Sequence, residues 1–364
     1  MTNTEIIAHR LYNQQITETQ FTKPEEIVSW LVAVQAQEYA MAKWAIGLRL
    51  NGVNEPAIEQ AFNEGRILRT HLMRPTWHFV SPADIRWLLA LTAPRVHAFN
   101  SYQYRKNNLD STLFNKCNDI IIKNLEGGKF LTRAVLNEAF VQAGVVTDGI
   151  GLSCIMMQAE LDGIICSGPR LGGPRQGKQF TYALIDERVP PTQALTQEEA
   201  LSQLALRYFT SRGPATVQDF VWWSGLTMKE ARIGIANLPP YFIHQKIEGH
   251  EYIYAPGNPK EIEHPNHSFL MPDYDEYGIA YKNRDAILLP KHLTATGEKP
   301  VFPFNRMVII NGTIVGTWQR TIKNKEINVE IAPLYRFNEE EHTSMQHSIN
   351  RFKSFFSGVT DDID

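Results

Sequence analysis

The sequence predicts an α+β fold, mainly helical, with three tandem helix–hairpin units and a β-rich segment near the C-terminus. Three observations lead to this prediction. Helix-start signals recur along the chain, paired β-prone runs follow helices in three places, and strand-like runs dominate from about residue 268 onward. At 364 residues, the chain is long enough for several domains with ample buried core.

The first unit is predicted over residues 1–80. TNTE at the N-terminus and TKPE at Thr22 place Glu three residues after Thr, which is the spacing of a helix capping box. Two runs, ILRTHLM and TWHFVS, then have the composition of paired strands. The helices expected before those strands are 5–20, 24–35, 40–50 and 55–64.

The second unit is predicted over residues 81–190. SPAD at Ser81 supplies a helix cap, a first-turn proline and an early acid. LTRAVLNEAFVQAG (131–144) and the stretch 149–161 are predicted as helices. IICS and QFTYALI then form two strands, bridged by the basic loop GPRLGGPRQGK.

The third unit, residues 191–260, gives the clearest signal. Thr216 caps a helix that reaches about Trp223, Gly225 breaks it, and Thr227 caps a second helix. Two short helices joined by a glycine turn form a helix-turn-helix. Two β-prone runs around Glu248-Gly249 add a hairpin, and a hairpin directly after the second helix makes a winged helix. We predict this architecture for all three units.

Residues 261–364 are predicted to form a β-rich domain. Strand-like runs at 307–310, 313–317 and 326–331 are separated by the Asn311-Gly312 hairpin signal and by NKE. An amphipathic helix is expected at 339–356.

Composition favours a cytoplasmic protein with no disulfide framework. The cysteines Cys117, Cys154 and Cys166 are widely spaced, and no CxxC pair is present. The N-terminus lacks the apolar core of a signal peptide, and no apolar run has the length of a membrane span. We expect a monomer, associated with the nucleoid, that needs no membrane, metal or other cofactor.

Positive charge is concentrated although the formal net charge is −3. Residues 65–109 contain seven Lys or Arg and one acid, Asp84, and residues 301–325 contain four bases and no acid. Such segregation can create one positive face that attracts nucleic acid. Patches scattered over several faces are an equally good interpretation of the same pattern.

The candidate DNA-binding residues lie in two basic stretches. Around MRPTW, polar strand positions facing water and a DNA-facing strand are equally weighted alternatives. GGPRQGK nearly matches a nucleotide-binding phosphate loop. However, Gln179 stands where that motif needs a hydroxyl, and a strand rather than a helix is predicted to follow. The favoured interpretation is a basic wing that lies along a DNA phosphate backbone. The candidates are Arg69, His71, Arg74, Trp77, His78, Arg170, Arg175 and Lys178.

Common catalytic signatures are missing from the sequence. The eleven histidines include no HExxH motif and no zinc-ligand spacing with cysteine, and no GxSxG elbow occurs. MPDYDEY clusters Asp273, Asp275 and Glu276, which could activate water, although a role in turn capping or in pairing with an arginine such as Arg284 is favoured.

VQAQEY places two neutral amides, Gln35 and Gln37, on either side of Ala36. On a continuous helix they would flank the buried stripe at about +80° and −80°, too far apart for one small ligand. They could face one cavity only if the helix ended near Ala36. Composition alone favours the simpler interpretation, in which the two amides lie at the border of a helix and share no cavity.

Long blocks of the chain resemble a known superfamily. VQAQEYAMAKWAIGLRL, RTHLMRPTWHFVSPADIRWLLALTAPRV, AELDGIICSGPR, RYFTSRGPATVQDFVWWSGL and MPDYDEY are similar to tandem winged-helix DNA-binding proteins. That superfamily includes bacterial DNA glycosylases that excise alkylated purines and unhook interstrand crosslinks. The resemblance implies three winged helices with a β-domain, and a Gln-x-Gln motif in the first of them that takes part in catalysis.

The resemblance makes Gln35 and Gln37 the expected catalytic residues and double-stranded DNA, alkylated or crosslinked, the expected partner. A cationic alkylated purine is already a good leaving group, so the enzyme must chiefly orient water and favour positive charge at the sugar. Neutral amides can do both without the cost of burying a carboxylate. The alternatives are a non-catalytic DNA-binding protein or regulator, and an enzyme acting on small molecules.

Overall fold

A computed structural model describes residues 1–172, 179–257, 259, 267–288, 306–323 and 326–357. The chain divides into two compact units. The N/C unit contains residues 1–58 and 202–364, and the central unit contains residues 59–201.

Within the described ranges, the helices are α1 (Asn3–Asn13), α2 (Pro24–Leu31), α3 (Tyr39–Gly47), α4 (Glu55–Asn63), α5 (Ile85–Lys106), α6 (Ser111–Leu125), α7 (Arg133–Gln142), α8 (Gly149–Leu161), α9 (Ile185–Arg188), α10 (Gln197–Arg212), α11 (Val217–Ser224), α12 (Met228–Ala236), α13 (Glu276–Ile279) and α14 (Glu339–Phe355). The strands are β1 (Ala33–Gln35), β2 (Leu68–Leu72), β3 (Thr76–Val80), β4 (Leu131–Thr132), β5 (Ile165–Ser167), β6 (Thr181–Leu184), β7 (Ile243–Ile247), β8 (His250–Tyr254), β9 (Ser268–Leu270), β10 (Met307–Ile310), β11 (Thr313–Lys323) and β12 (Glu326–Pro333).

In the N/C unit, α11 and α12 have the capping residues and the glycine turn that the sequence predicts. Thr216 and Thr227 cap the two helices, and the backbone N–H of each threonine donates in return to the acidic side chain three residues on. Gly225 ends α11 with φ 74°, in the left-handed region that glycine adopts without cost. The antiparallel β7–β8 hairpin turns at Glu248 and Gly249, both at positive φ. The predicted helix–turn–helix and hairpin elements are confirmed here.

The rest of the N/C unit is built on a four-stranded antiparallel sheet in the order β12-β11-β10-β9. The β10–β11 turn places Asn311 and Gly312 at positive φ, as the hairpin signal predicts. Helix α14 lies beside β9, where the Ser348 hydroxyl donates to the Ser268 carbonyl oxygen at 2.6 Å. Trp44 of α3 packs edge-on against Phe352 of α14, with ring centroids 5.2 Å apart. These contacts join the C-terminal helix, the sheet and the N-terminal helices.

The central unit contains the antiparallel β2–β3 hairpin and a second sheet in the order β4-β6-β5. Helices α6, α7 and α8 enclose an apolar core that includes Ile121, Leu136 and Ile155, all fully buried. The predicted helices at 131–144 and 149–161 and the strands around them are confirmed as α7, α8, β5 and β6.

Three of the predicted N-terminal helices end earlier than expected. The 5–20 helix ends at Asn13, the 24–35 helix at Leu31 and the 40–50 helix at Gly47, so these predictions are wrong at their C-terminal ends. In the described ranges, no helix is both long and apolar enough to cross a membrane. The division into segments 1–80, 81–190, 191–260 and 261–364 stays a prediction.

Candidate active site

The segment that carries Gln35 and Gln37 is not helical, since Gln35 ends a short strand and Gln37 lies in a bend before the next helix. Helix α2 ends at Leu31, and Val32 follows with φ 66° and ψ −52°. These angles approach a classic γ-turn, a strained conformation for a β-branched residue. Strand β1 then runs up to Gln35, and α3 begins four residues later. The angular separation expected for a helix therefore does not apply to the two amides.

Exposure alternates along this segment. Gln35 is half-buried, Ala36 is fully buried and Gln37 is exposed. Ala36 therefore packs in the core, and the amides on either side of it are more accessible to solvent.

A buried ion pair holds both ends of β1. Glu276 and Arg212 are each about 1% exposed or less, and the carboxylate Oε2 accepts from Arg212 Nη2 at 2.7 Å. The Gln35 backbone N–H donates to Glu276 Oε1 at 3.2 Å. At the other end, Arg212 Nη2 donates to the Ala33 carbonyl oxygen at 3.0 Å. One salt bridge thus fixes the backbone just before the two amides.

The Glu276 carboxylate is fully engaged by this arrangement. In addition to Gln35 and Arg212, the Trp223 indole Nε1–H donates to Oε2 at 2.9 Å. Both carboxylate oxygens of Glu276 thus accept hydrogen bonds, and the side chain anchors the backbone of β1.

A second buried pair stands beside the first in sequence. Arg49 forms a bidentate pair with Asp275, at 2.8 and 2.9 Å, and its Nε donates to the Gln14 carbonyl oxygen at 3.0 Å. Burial would lower the pKa of Arg49, but the Asp275 carboxylate outweighs it and raises that pKa. Asp273 accepts from Arg306 Nε at 2.8 Å. The acidic cluster of MPDYDEY therefore pairs with arginines, in line with the favoured structural interpretation.

The predicted DNA-binding residues belong to the central unit, and three of them lie together on the β2–β3 hairpin. Trp77 pairs directly opposite His71, with ring centroids 4.5 Å apart. The Arg69 guanidinium lies over the Trp77 ring at 4.1 Å and over the Phe180 ring at 4.8 Å. Arg69 and His71 are only 8% and 7% exposed, so this face is not an open, solvated strand surface.

The other predicted DNA-binding residues are spread around the same hairpin. His78 is 1% exposed and its Nδ1 lies 2.9 Å from the Thr76 carbonyl oxygen, whereas Arg74 in the β2–β3 turn is half-buried. The Arg170 guanidinium lies 4.8 Å from the Phe180 ring. Arg175 and Lys178 lie outside the described residues, and the DNA-binding role of the whole set stays a prediction.

Residue types that bind metal ions do not converge in the described part of the chain. No three His, Cys, Asp or Glu side chains are grouped there as ion ligands. All three cysteines are buried, and burial raises the pKa of Cys117 to about 11 and that of Cys166 to about 12. Such thiols are poor nucleophiles and poor ligands at neutral pH.

The sequence singled out Glu276 but not its partners. Arg49 and Arg212 carried no motif, and Glu276 is separated from Gln35 by 241 positions. A physical signal did exist, because a charged side chain inside an otherwise apolar stretch needs a buried partner. Arg212 at the end of an amphipathic helix and the acids of MPDYDEY were such candidates, but spacing alone could not pair them.

Comparisons with known proteins point to one family. The model of the family described as DNA glycosylase AlkZ-like matches residues 28–355. The interstrand DNA cross-link repair glycosylase of Streptomyces sahachiroi is 20% identical over 329 residues, covering 86% of this chain and 87% of the relative. The solved structure of Streptomyces sahachiroi DNA glycosylase AlkZ has a TM-score of 0.76 at 19% identity and covers 99% of this chain and 98% of its own. At that identity, the structural match shows a shared fold.

Proposed function

The chain belongs to the AlkZ-like family of DNA glycosylases, and we propose that it hydrolyses the N-glycosidic bond of cationic, alkylated purines in double-stranded DNA. Gln35 and Gln37 orient the attacking water in this proposal. The observation that carries it is the non-helical Gln-x-Gln segment, which the Arg212–Glu276 pair anchors through the Ala33 carbonyl oxygen and the Gln35 N–H.

The leaving group explains why amides suffice. A purine alkylated at N7 or N3 already carries positive charge, so cleavage needs no strong general acid. The sugar develops oxocarbenium character, and preorganised carbonyl dipoles stabilise that charge and hold water against it. Both oxygens of Glu276 accept hydrogen bonds within the fold, and the proposal assigns no base role to it or to the exposed Glu38.

The wider proposal concerns substrate and architecture. The relative from Streptomyces sahachiroi is named for interstrand cross-link repair, and we extend that substrate class, including crosslink unhooking, to this chain. Two helix pairs followed by hairpins, α7–α8 with β5–β6 and α11–α12 with β7–β8, support the winged-helix interpretation of residues 81–190 and 191–260. The protein acts as a monomer in the cytoplasm at the nucleoid.

Base release tests the proposal. Duplex DNA containing N7-methylguanine is incubated with wild type and with Gln35→Ala/Gln37→Ala, and free base is quantified while DNA binding is measured separately. We expect release by wild type and a loss of about a hundredfold or more in the variant, the scale of removing preorganised transition-state contacts, with DNA affinity retained.

Gln103→Ala/Gln346→Ala is the matched control, because both of these glutamines are exposed helix residues outside the site. Its release should equal that of wild type. Equal release by the Gln35→Ala/Gln37→Ala variant would remove the proposed roles of the amides. DNA binding by wild type without any release would instead favour a non-catalytic DNA-binding protein.

A further inference from the structure

A small cavity opens in the central unit beside the β2–β3 hairpin. Its volume is about 260 Å³. That is below the roughly 300–1,000 Å³ of sites for drug-sized ligands, so it fits one flat ring system. The cavity is lined by three aromatic rings, one carboxylate and two guanidinium groups, which belong to Trp77, Phe180, Tyr182, Glu160, Arg69 and Arg133.

The carboxylate of Glu160 is the unusual feature of this cavity. Glu160 is 2% exposed, and its Oε2 is hydrogen-bonded to His71 Nδ1. Glu160 also lines the cavity. A buried carboxylate is costly unless it is hydrogen-bonded, so a ligand N–H that enters the cavity would be a favourable partner for it.

The arginines supply the opposite polarity next to this acceptor. Arg69 is held between the Trp77 and Phe180 rings, with its guanidinium carbon 4.1 and 4.8 Å from their centroids. Arg133 donates through Nη2 to the Gly149 carbonyl oxygen at 3.0 Å and to Ser153 at 2.8 Å. Arg69 and Arg133 both line the cavity, so their guanidinium groups can donate to a ligand oxygen there.

The tyrosine adds a third polar group. Burial raises the pKa of Tyr182, so its hydroxyl stays protonated at any physiological pH and remains able to donate. The cavity therefore offers flat apolar walls, one charged acceptor and several donors. That combination matches a heteroaromatic ring whose edge presents N–H groups next to a carbonyl oxygen.

We propose that this cavity binds a guanine-type base, with its N1–H and 2-amino group toward Glu160 and its O6 toward an arginine. A carboxylate accepts both donors of a guanine edge, whereas an adenine edge offers one donor beside an acceptor that would face the carboxylate. This inference rests on the proposed action on DNA purines, because the base would be either extruded from DNA or released by cleavage.

Nucleotide binding to the full-length protein tests the inference. GMP, IMP and AMP are titrated by calorimetry, since they share the sugar and phosphate and differ only in the base edge. GMP should bind in a saturable way. IMP should bind at least about tenfold more weakly, because it lacks the 2-amino donor to a charged acceptor, and AMP more weakly still.

Glu160→Gln removes the charge and keeps the shape of the side chain. The preference for GMP over IMP should fall to within a few-fold, whereas Glu138→Gln, an exposed glutamate on α7, should keep it. If Glu160→Gln does not fold, the affinities of the wild-type protein for GMP, IMP and AMP still test the proposal. No saturable GMP binding, or equal affinity for all three nucleotides, would overturn the proposal.

A competition arm separates the two sources of the base. If the cavity binds extruded bases, a duplex with an unpaired guanine should displace bound GMP. If the cavity binds the released base, only free N7-methylguanine should displace it. Displacement by neither competitor counts against the proposal. Base release is measured on the same preparations. Release without GMP binding overturns the cavity assignment alone, and GMP binding without release overturns only the proposed activity.

Discussion

Glu276→Gln tests whether the Glu276 side chain positions the β1 backbone for activity or only stabilises the fold. The substitution keeps the volume of the side chain but removes the charge that faces Arg212. It also weakens the acceptor for the Gln35 backbone N–H and the Trp223 indole. The substitution should therefore change both the stability of the fold and the positioning of the segment before the two amides.

The expected magnitude follows from burial. Arg212 and Glu276 are about 0% and 1% exposed, so the substitution leaves a guanidinium without its counter-charge away from water. Breaking such a buried pair costs about 3–5 kcal/mol. A whole domain is stable by only about 5–15 kcal/mol, so the variant should still fold at 25 °C with a clearly lower urea midpoint.

The assay compares free energies of unfolding in urea with single-turnover base release. Glu64→Gln is the control, because Glu64 pairs with Arg66 at the surface, where both side chains are more than a third exposed. Exposed pairs contribute about 1 kcal/mol or less. Glu276→Gln should lower the single-turnover rate constant well beyond the control and leave the half-saturating protein concentration nearly unchanged, because it touches the β1 backbone and none of the predicted DNA contacts.

A double replacement completes the test. Arg212→Met/Glu276→Leu removes both charges, and apolar replacement of a buried pair often restores stability. The hydrogen bonds to the Ala33 carbonyl and the Gln35 N–H remain lost, so activity should stay low. Recovery of both stability and activity would refute the positioning role, as would a loss below about 1 kcal/mol in Glu276→Gln.

Two further predictions concern the fold. Because burial raises the pKa of Cys117 from 9.0 to about 11 and that of Cys166 to about 12, the unfolded chain loses these protons first as pH rises. The free energy of unfolding should therefore fall above about pH 9. Iodoacetamide should modify these thiols only in urea, and modification of the native protein at pH 8 would contradict the prediction. Gly225→Ala should cost about 1–2 kcal/mol in urea unfolding, because φ is 74°, whereas Gly149→Ala, with open space around it, should change little.

Local signals predicted the elements of the fold well. The capping residues Thr216 and Thr227, the left-handed Gly225 and the Asn311-Gly312 turn each specify their structure through neighbouring backbone groups. Such features depend on a few adjacent residues, so a single sequence contains them in full.

The end of α2 shows where local signals fail. Val32, Ala33 and Val34 are 2% exposed or less, so they extend the apolar stripe of α2 although β1 is a strand. A short buried strand cannot be told from a helix by periodicity alone. The site depends on this break and on the link from Glu276 to Gln35, and both are set by tertiary contacts. The pairing of His71 with Glu160, 89 positions apart, is hidden in the sequence for the same reason.

The central claim is that two neutral amides suffice because the departing base is already charged. The most direct measurement compares single-turnover release of N7-methylguanine and of hypoxanthine from otherwise identical duplexes by the wild-type protein. We predict release of the cationic base and no release of the neutral base above the enzyme-free background. Comparable release of both bases would contradict the claim, because a neutral purine leaves at such a rate only with a strong general acid.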